Sequence, residues 1–140
     1  MPHIKLEFGN LETIRTVMLG WDITDFGRGD FRNYGLMLFT IRNGITGSEK
    51  YPKKYAEKIM ISRSNQITLM HCHVLKTEDI INRGGGNCLI RVYNSLPNEE
   101  IDYESDVTVY TDGRAYTVPA GTQIKLTPGE SIYIPQFLYH

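Results

Sequence analysis

A chain of 140 residues, 41% of them hydrophobic, is long enough for one packed domain burying roughly two thirds of its unfolded surface. A formal charge of −1 and a pI of about 6.4 exclude the basic field of a nucleic-acid or anionic-membrane binder, with Lys50, Lys53, Lys54 and Lys58 the one local basic cluster. No apolar run reaches the roughly 18 residues of a membrane span, and Met1 to Lys5 lacks the apolar core of a signal peptide. Two cysteines without a disulfide spacing, Cys72 and Cys88, fit a reducing compartment, so the expectation is a cytoplasmic single domain over residues 1–140.

In chain order, Glu12 to Leu19 reads as helix or strand. Leu36 to Arg42 is a strand running into the Asn43-Gly44 turn, and Tyr55 to Arg63 is a second before Ser64-Asn65. Gln66 to His73 alternates as a strand, and Asn87 to Asn94 follows the glycine turn Gly84-Gly85-Gly86. The acidic stretch Glu99 to Asp106 reads as an exposed loop. Val107 to Tyr110 and Ala115 to Val118 flank the hairpin signal Asp112-Gly113. Gln123 to Leu126 and Ser131 to Ile134 flank Pro128-Gly129. Short strands this closely punctuated predict an all-β sandwich or barrel.

The chemistry gathers at His71, His73 and Glu78. A His-x-His pair on an extended strand puts two imidazoles on one face, and Glu78, beyond a short turn, can aim a carboxylate at the same point. With His140, the last residue, this is a donor set for Mn²⁺, Fe²⁺ or Zn²⁺ with positions open to substrate. The bland alternative is a pair of half-buried strand histidines. Lys76, three residues past His73, is placed to reach an open face of such a metal, or is an ordinary solvated lysine. Lys53 and Tyr55 are candidates for contacts to a hydroxylated ligand. Trp21, the single tryptophan, either stacks on a sugar face or fills core. Asn82 and Arg83 are candidates for orienting the carboxylates of Glu78 and Asp79, and Glu57 and Lys58 stay open between a surface pair and the site.

The order His-x-His-x₄-Glu, glycines, Pro-Gly and then Pro and His resembles the two motifs of the cupin superfamily, which implies a jelly-roll β-barrel. Gly20 to Gly27, Tyr55 to Ile59, Lys76 to Gly86, Leu126 to Ile132 and Leu138 to His140 are more closely similar to the bacterial D-lyxose isomerases, from about Leu19 to the C-terminus. That resemblance implies a manganese-dependent ketol-isomerase, usually homodimeric, acting between D-lyxose and D-xylulose. It implies metal ligands His71, His73, Glu78 and His140, with Lys76 at the substrate. In such a reaction a divalent cation stabilises an enediolate while an acid and a base move the proton. Those isomerases continue past the second motif into a region with a further proton-transfer carboxylate. The expectation is therefore a segment of a longer protein, or a truncated relative, without the closing elements of its barrel. Two other readings stand beside it: an Fe²⁺-dependent cupin oxygenase and a non-catalytic sugar-binding cupin.

Overall fold

The computed structural model describes residues 11–140, so Met1 to Lys5, read above for a missing signal peptide, lie outside the described residues. The chain divides into two compact units, at Leu69/Met70. Among the described residues the only α-helix is α1 (Leu11–Thr16), six residues long; no helix is long and apolar enough to cross a membrane. Everything else regular is strand, and every strand pairing is antiparallel, as an all-β, cupin-like fold requires.

The first unit carries a three-stranded sheet of β1 (Gly20–Thr24), β2 (Leu36–Arg42) and β3 (Glu57–Ile61), with β2 in the middle. Register aligns Trp21 with Phe39 and Phe39 with Ile59. Trp21 is 66% exposed, its ring edge-on to Phe39 at 4.9 Å between centroids, so it is not a core residue. The expected strand from Tyr55 to Arg63 is shorter: Lys53 and Tyr55 lie in the approach to β3, which ends at Ile61. Glu57 forms an exposed ion pair with Arg42 on the neighbouring strand, which settles it as a surface pair.

The second unit begins with β4 (Glu78–Ile81) and β5 (Cys88–Arg91), followed by the two-residue strands β6 (Asn94–Ser95) and β7 (Ile101–Asp102). It ends with β8 (Val107–Thr111), β9 (Arg114–Val118), β10 (Gln123–Leu126) and β11 (Ser131–Ile134). One sheet runs β4-β11-β8-β9, a second pairs β10 with β5, and β6 pairs with β7. Burial alternates with the strand period of two: Val107, Val109, Ile124, Leu126, Ile132 and Ile134 point inward. With Ile90, Val92 and Leu138 they form one core shared by the two larger sheets. The β8–β9 turn is Asp112-Gly113, both at positive φ (48° and 75°), the geometry of a two-residue type I′ hairpin.

Asn82 lies just past β4 and is 8% exposed. Its amide nitrogen donates to the carbonyls of Gly86 and Leu126, both at 2.8 Å. It therefore ties the glycine loop to the end of β10 instead of orienting Glu78 or Asp79, which corrects the sequence reading. The reason is local: a buried amide must find partners, and the carbonyls of Gly86 and Leu126 are within its reach.

Truncating the core should separate the two units' energetics. Ile132→Ala or Leu126→Ala is expected to cost about 2–5 kcal/mol in denaturant melts. Ile23→Ser, at a side chain 61% exposed, should stay within about 0.5 kcal/mol. Equal losses at the two kinds of position would mean that the core has been misplaced.

Candidate metal centre

His71, His73, Glu78 and His140 converge: one donor atom from each lies within 4.8 Å of every other. Two donors on one first-row cation, each about 2.1 Å from it, can stand at most about 4.2 Å apart. The group is thus within a few tenths of an ångström per side chain of a coordination shell, and three imidazoles with one carboxylate are the donors such a cation takes. The ring centroids of His71 and His140 are 4.4 Å apart, those of His71 and His73 4.9 Å, and those of His73 and His140 5.4 Å.

Backbone hydrogen bonds explain the convergence. Gln66 to His73 is not the regular strand expected; apart from an isolated bridge at Ile67, the chain here has no strand assignment up to Glu78. Instead His71 and His140 exchange both backbone bonds, His71 N–H to His140 O at 3.1 Å and His140 N–H to His71 O at 2.9 Å. That is one rung of an antiparallel ladder, and opposite residues in such a rung carry side chains on the same face. Phe137 N–H donates to His73 O at 2.9 Å, extending the contact by one step. Glu78 opens β4 and is held in register opposite Ile134 of β11.

The side chains grade from dry to wet: His140 is 6% exposed, His73 17%, Glu78 26% and Lys76 58%. His140 Nδ1 donates to the Leu138 carbonyl at 3.1 Å, which leaves Nε2 of a neutral ring as a lone pair turned to the group. His73 Nε2 donates to Glu78 Oε2 at 2.8 Å. The Glu78 carboxyl is held at about 2, far below the usual carboxylate range, by His140 first, then by the Lys76 cation and by His73, all against the cost of burial. His140 Nε2 stands 3.8 Å from Oε2, outside hydrogen-bond reach, so it acts at longer range, and the direct bond is the one from His73. Burial pushes the His73 imidazole below its ordinary value, with Lys76 and His71 adding to the fall and Glu78 opposing it. A neutral imidazole and an ionised carboxylate are the protonation states that bind a cation.

Of the residues singled out from sequence, the fold brings the four donors together and sets Lys76 Nζ 3.9 Å from Glu78 Oε2. Trp21, Lys53 and Tyr55 lie in the first unit, where Lys53 Nζ sits over the Tyr55 ring at 5.0 Å. Lys53 and Tyr55 line a cavity of about 490 Å³ there, together with Val17, Leu19, Arg42 and Lys50. The second unit has a cavity of about 270 Å³ lined by Thr111, Arg114, Lys125 and Glu130 among others, and by none of the four donors. Convergence of donors, not concavity, marks the site. Sequence reasoning missed the Leu138 carbonyl and the pairing of Tyr93 with Tyr139, backbone features with no compositional signal.

A family model described as D-lyxose isomerase matches residues 3–140. A D-lyxose/D-mannose isomerase of Escherichia coli O157:H7 is 48% identical over 136 residues, 97% of this chain and 60% of the relative. One from Serratia proteamaculans is 50% identical over 122 residues, 87% of this chain and 53% of the relative. The chain thus spans between half and two thirds of the length of these relatives.

In chelator-treated protein, acid should act in two stages. Glu78 is depressed from 4.5 to about 2, so its stabilisation is complete above 4.5 and lost as pH falls from there toward 2. His73 is depressed from 6.5, so its contribution is complete above 6.5 and lost as pH falls through its lowered value. The denaturation midpoint is expected to hold above pH 7, to decline below about 6.5, and to fall more steeply below about 4.5. Glu78→Gln should remove the lower stage. A midpoint that rises on acidification would sink this assignment.

Proposed function

We propose that this chain, which belongs to the D-lyxose isomerase family, forms the metal-holding part of a ketol-isomerase interconverting D-lyxose and D-xylulose. The observation that carries the reading is the convergence of three imidazoles and one carboxylate within 4.8 Å. Its proposed ligands are His71, His73, Glu78 and His140, and its proposed cation is Mn²⁺, a hard-to-borderline ion suited to the carboxylate and to the oxygens of a chelating sugar. Bound there, the cation would supply Lewis-acid polarisation of the carbonyl and adjacent hydroxyl of an open-chain sugar.

The remaining work falls to side chains. Glu78, ionised at about 2, has no proton to give at neutral pH, so it serves as ligand and acceptor. Lys76 is the exposed cation beside it, 3.9 Å from its oxygen, and is the proposed catalytic residue. As ammonium it donates a hydrogen bond to O1 or O2 of the sugar; as the neutral amine it would take the proton from C2 of the aldose and return it to C1. Lys53 and Tyr55, at the first unit's cavity, and the exposed Trp21 are the proposed sugar contacts.

The relatives' names add D-mannose as a second proposed substrate. A cytoplasmic location, a homodimer and action as one domain over residues 1–140 are parts of the same proposal. The exposed apolar side chains Ile23, Ile59 and Ile61 on the first unit's sheet support the dimer.

Protein carrying this chain is expected to exchange D-lyxose with D-xylulose, to lose that activity to a chelator, and to recover it best with Mn²⁺. His71→Ala with His73→Ala should abolish the rise in melting temperature that Mn²⁺ gives, since a ligand bound only by the native state stabilises it. Full activity after exhaustive chelation overturns the metal site, whereas no aldose–ketose exchange with any pentose or hexose overturns the isomerase reading in favour of a sugar-binding cupin.

Lys76→Ala should lower kcat by roughly 10² with bound Mn²⁺ unchanged. A variant with normal kcat removes Lys76 from the reaction.

A further inference from the structure

The fourth donor arrives on a short strap, Phe137 to His140, that belongs to no named strand. The strap has backbone partners on both sides. Phe137, at φ 62°, and His140 bond to His73 and His71, while Tyr139 exchanges both backbone bonds with Tyr93 at 2.9 and 3.0 Å. Among the described residues each full rung is a single residue wide.

Tyr139 is the strap's side-chain anchor. Alternation sends its ring to the face opposite His140. There its hydroxyl donates to the Glu99 carbonyl at 2.6 Å and also meets the side chain of Cys72, between His71 and His73. Glu99 is held at φ 65° in a tight turn, where its own N–H donates to Leu96 O at 2.9 Å and Leu96 N–H donates to Glu100 O at 2.8 Å. A non-glycine residue in that conformation persists only where its surroundings hold it, so the accepting carbonyl is a fixed point. Tyr93, the strap's other neighbour, is fixed as well. Its ring packs edge-on to Tyr103 at 5.3 Å between centroids, and a Cβ at Gly121 would meet its hydroxyl at 2.9 Å.

We propose that Tyr139 is a positioning residue: the bond from its hydroxyl to the Glu99 carbonyl holds the strap, and with it His140 Nε2, at the place where a cation is bound. The inference rests on the metal-holding reading above and extends it to a residue that touches neither metal nor sugar. Loss of an outer partner of a metal ligand typically weakens binding about 10–100-fold.

The test uses the whole 140-residue chain with Mn²⁺ alone as ligand, the dissociation constant being read from the electron paramagnetic resonance of free Mn²⁺. Tyr139→Phe keeps the ring and removes the hydroxyl. It is expected to weaken Mn²⁺ binding about tenfold or more in the wild-type background, and to cause no further loss in His140→Ala. Glu99→Val, whose β-branched side chain disfavours the positive φ of the accepting turn, should act in the same direction and add little to Tyr139→Phe; it serves as the readout if Tyr139→Phe does not fold. Unchanged affinity in Tyr139→Phe overturns the proposal. So does an equal loss in both backgrounds, because the hydroxyl would then act by general loosening and not through His140. If the wild-type chain binds Mn²⁺ no better than His71→Ala with His73→Ala, the metal reading itself fails and takes this inference with it.

Discussion

The reciprocal pair of backbone bonds between His71 and His140 is the constraint on which the rest of the second unit's chemistry depends. Without it, the His-x-His segment is an irregular stretch with no assigned strand, and His140 is a terminal side chain. With it, the two residues become opposite members of an antiparallel rung, and their rings are forced onto one face 4.4 Å apart. His73 follows two residues from His71 along the same face. Glu78 is delivered separately, by the register of β4 against β11, so two independent pairings meet at one point.

That meeting point has a definite electrostatic character. Burial disfavours the charged form of His73, and the neighbouring Lys76 and His71 add to that. The carboxylate stays ionised because His140, Lys76 and His73 stabilise it by more than burial costs. The group holds one anion, Glu78, with the exposed cation Lys76 at its margin.

The two units use their apolar residues differently. In the second, strict alternation along β8, β10 and β11 buries one set of aliphatic side chains between two sheets and leaves the other set wet. The donors sit off this core, so the packing that stabilises the unit is distinct from the groups that do chemistry. In the first, Trp21, Ile23, Ile59 and Ile61 stay exposed on a three-stranded sheet whose burial does not alternate along its strands.

The amino-acid order by itself determined what depends on near neighbours. The strands Leu36–Arg42, Gln123–Leu126 and Ser131–Ile134 stand where alternation places them, and Asp112-Gly113 makes its hairpin because only residues tolerant of positive φ fit there. The motif spacing likewise named the four side chains that meet. Tertiary structure decided how they meet. It placed Glu78 inside a strand, spent Asn82 on loop carbonyls, left Trp21 in the open, and used an isolated rung in place of an expected strand. These outcomes turn on which distant backbone N–H finds which C=O, and a backbone group looks the same whatever side chain it carries. No reading of residue types could have assigned those partners.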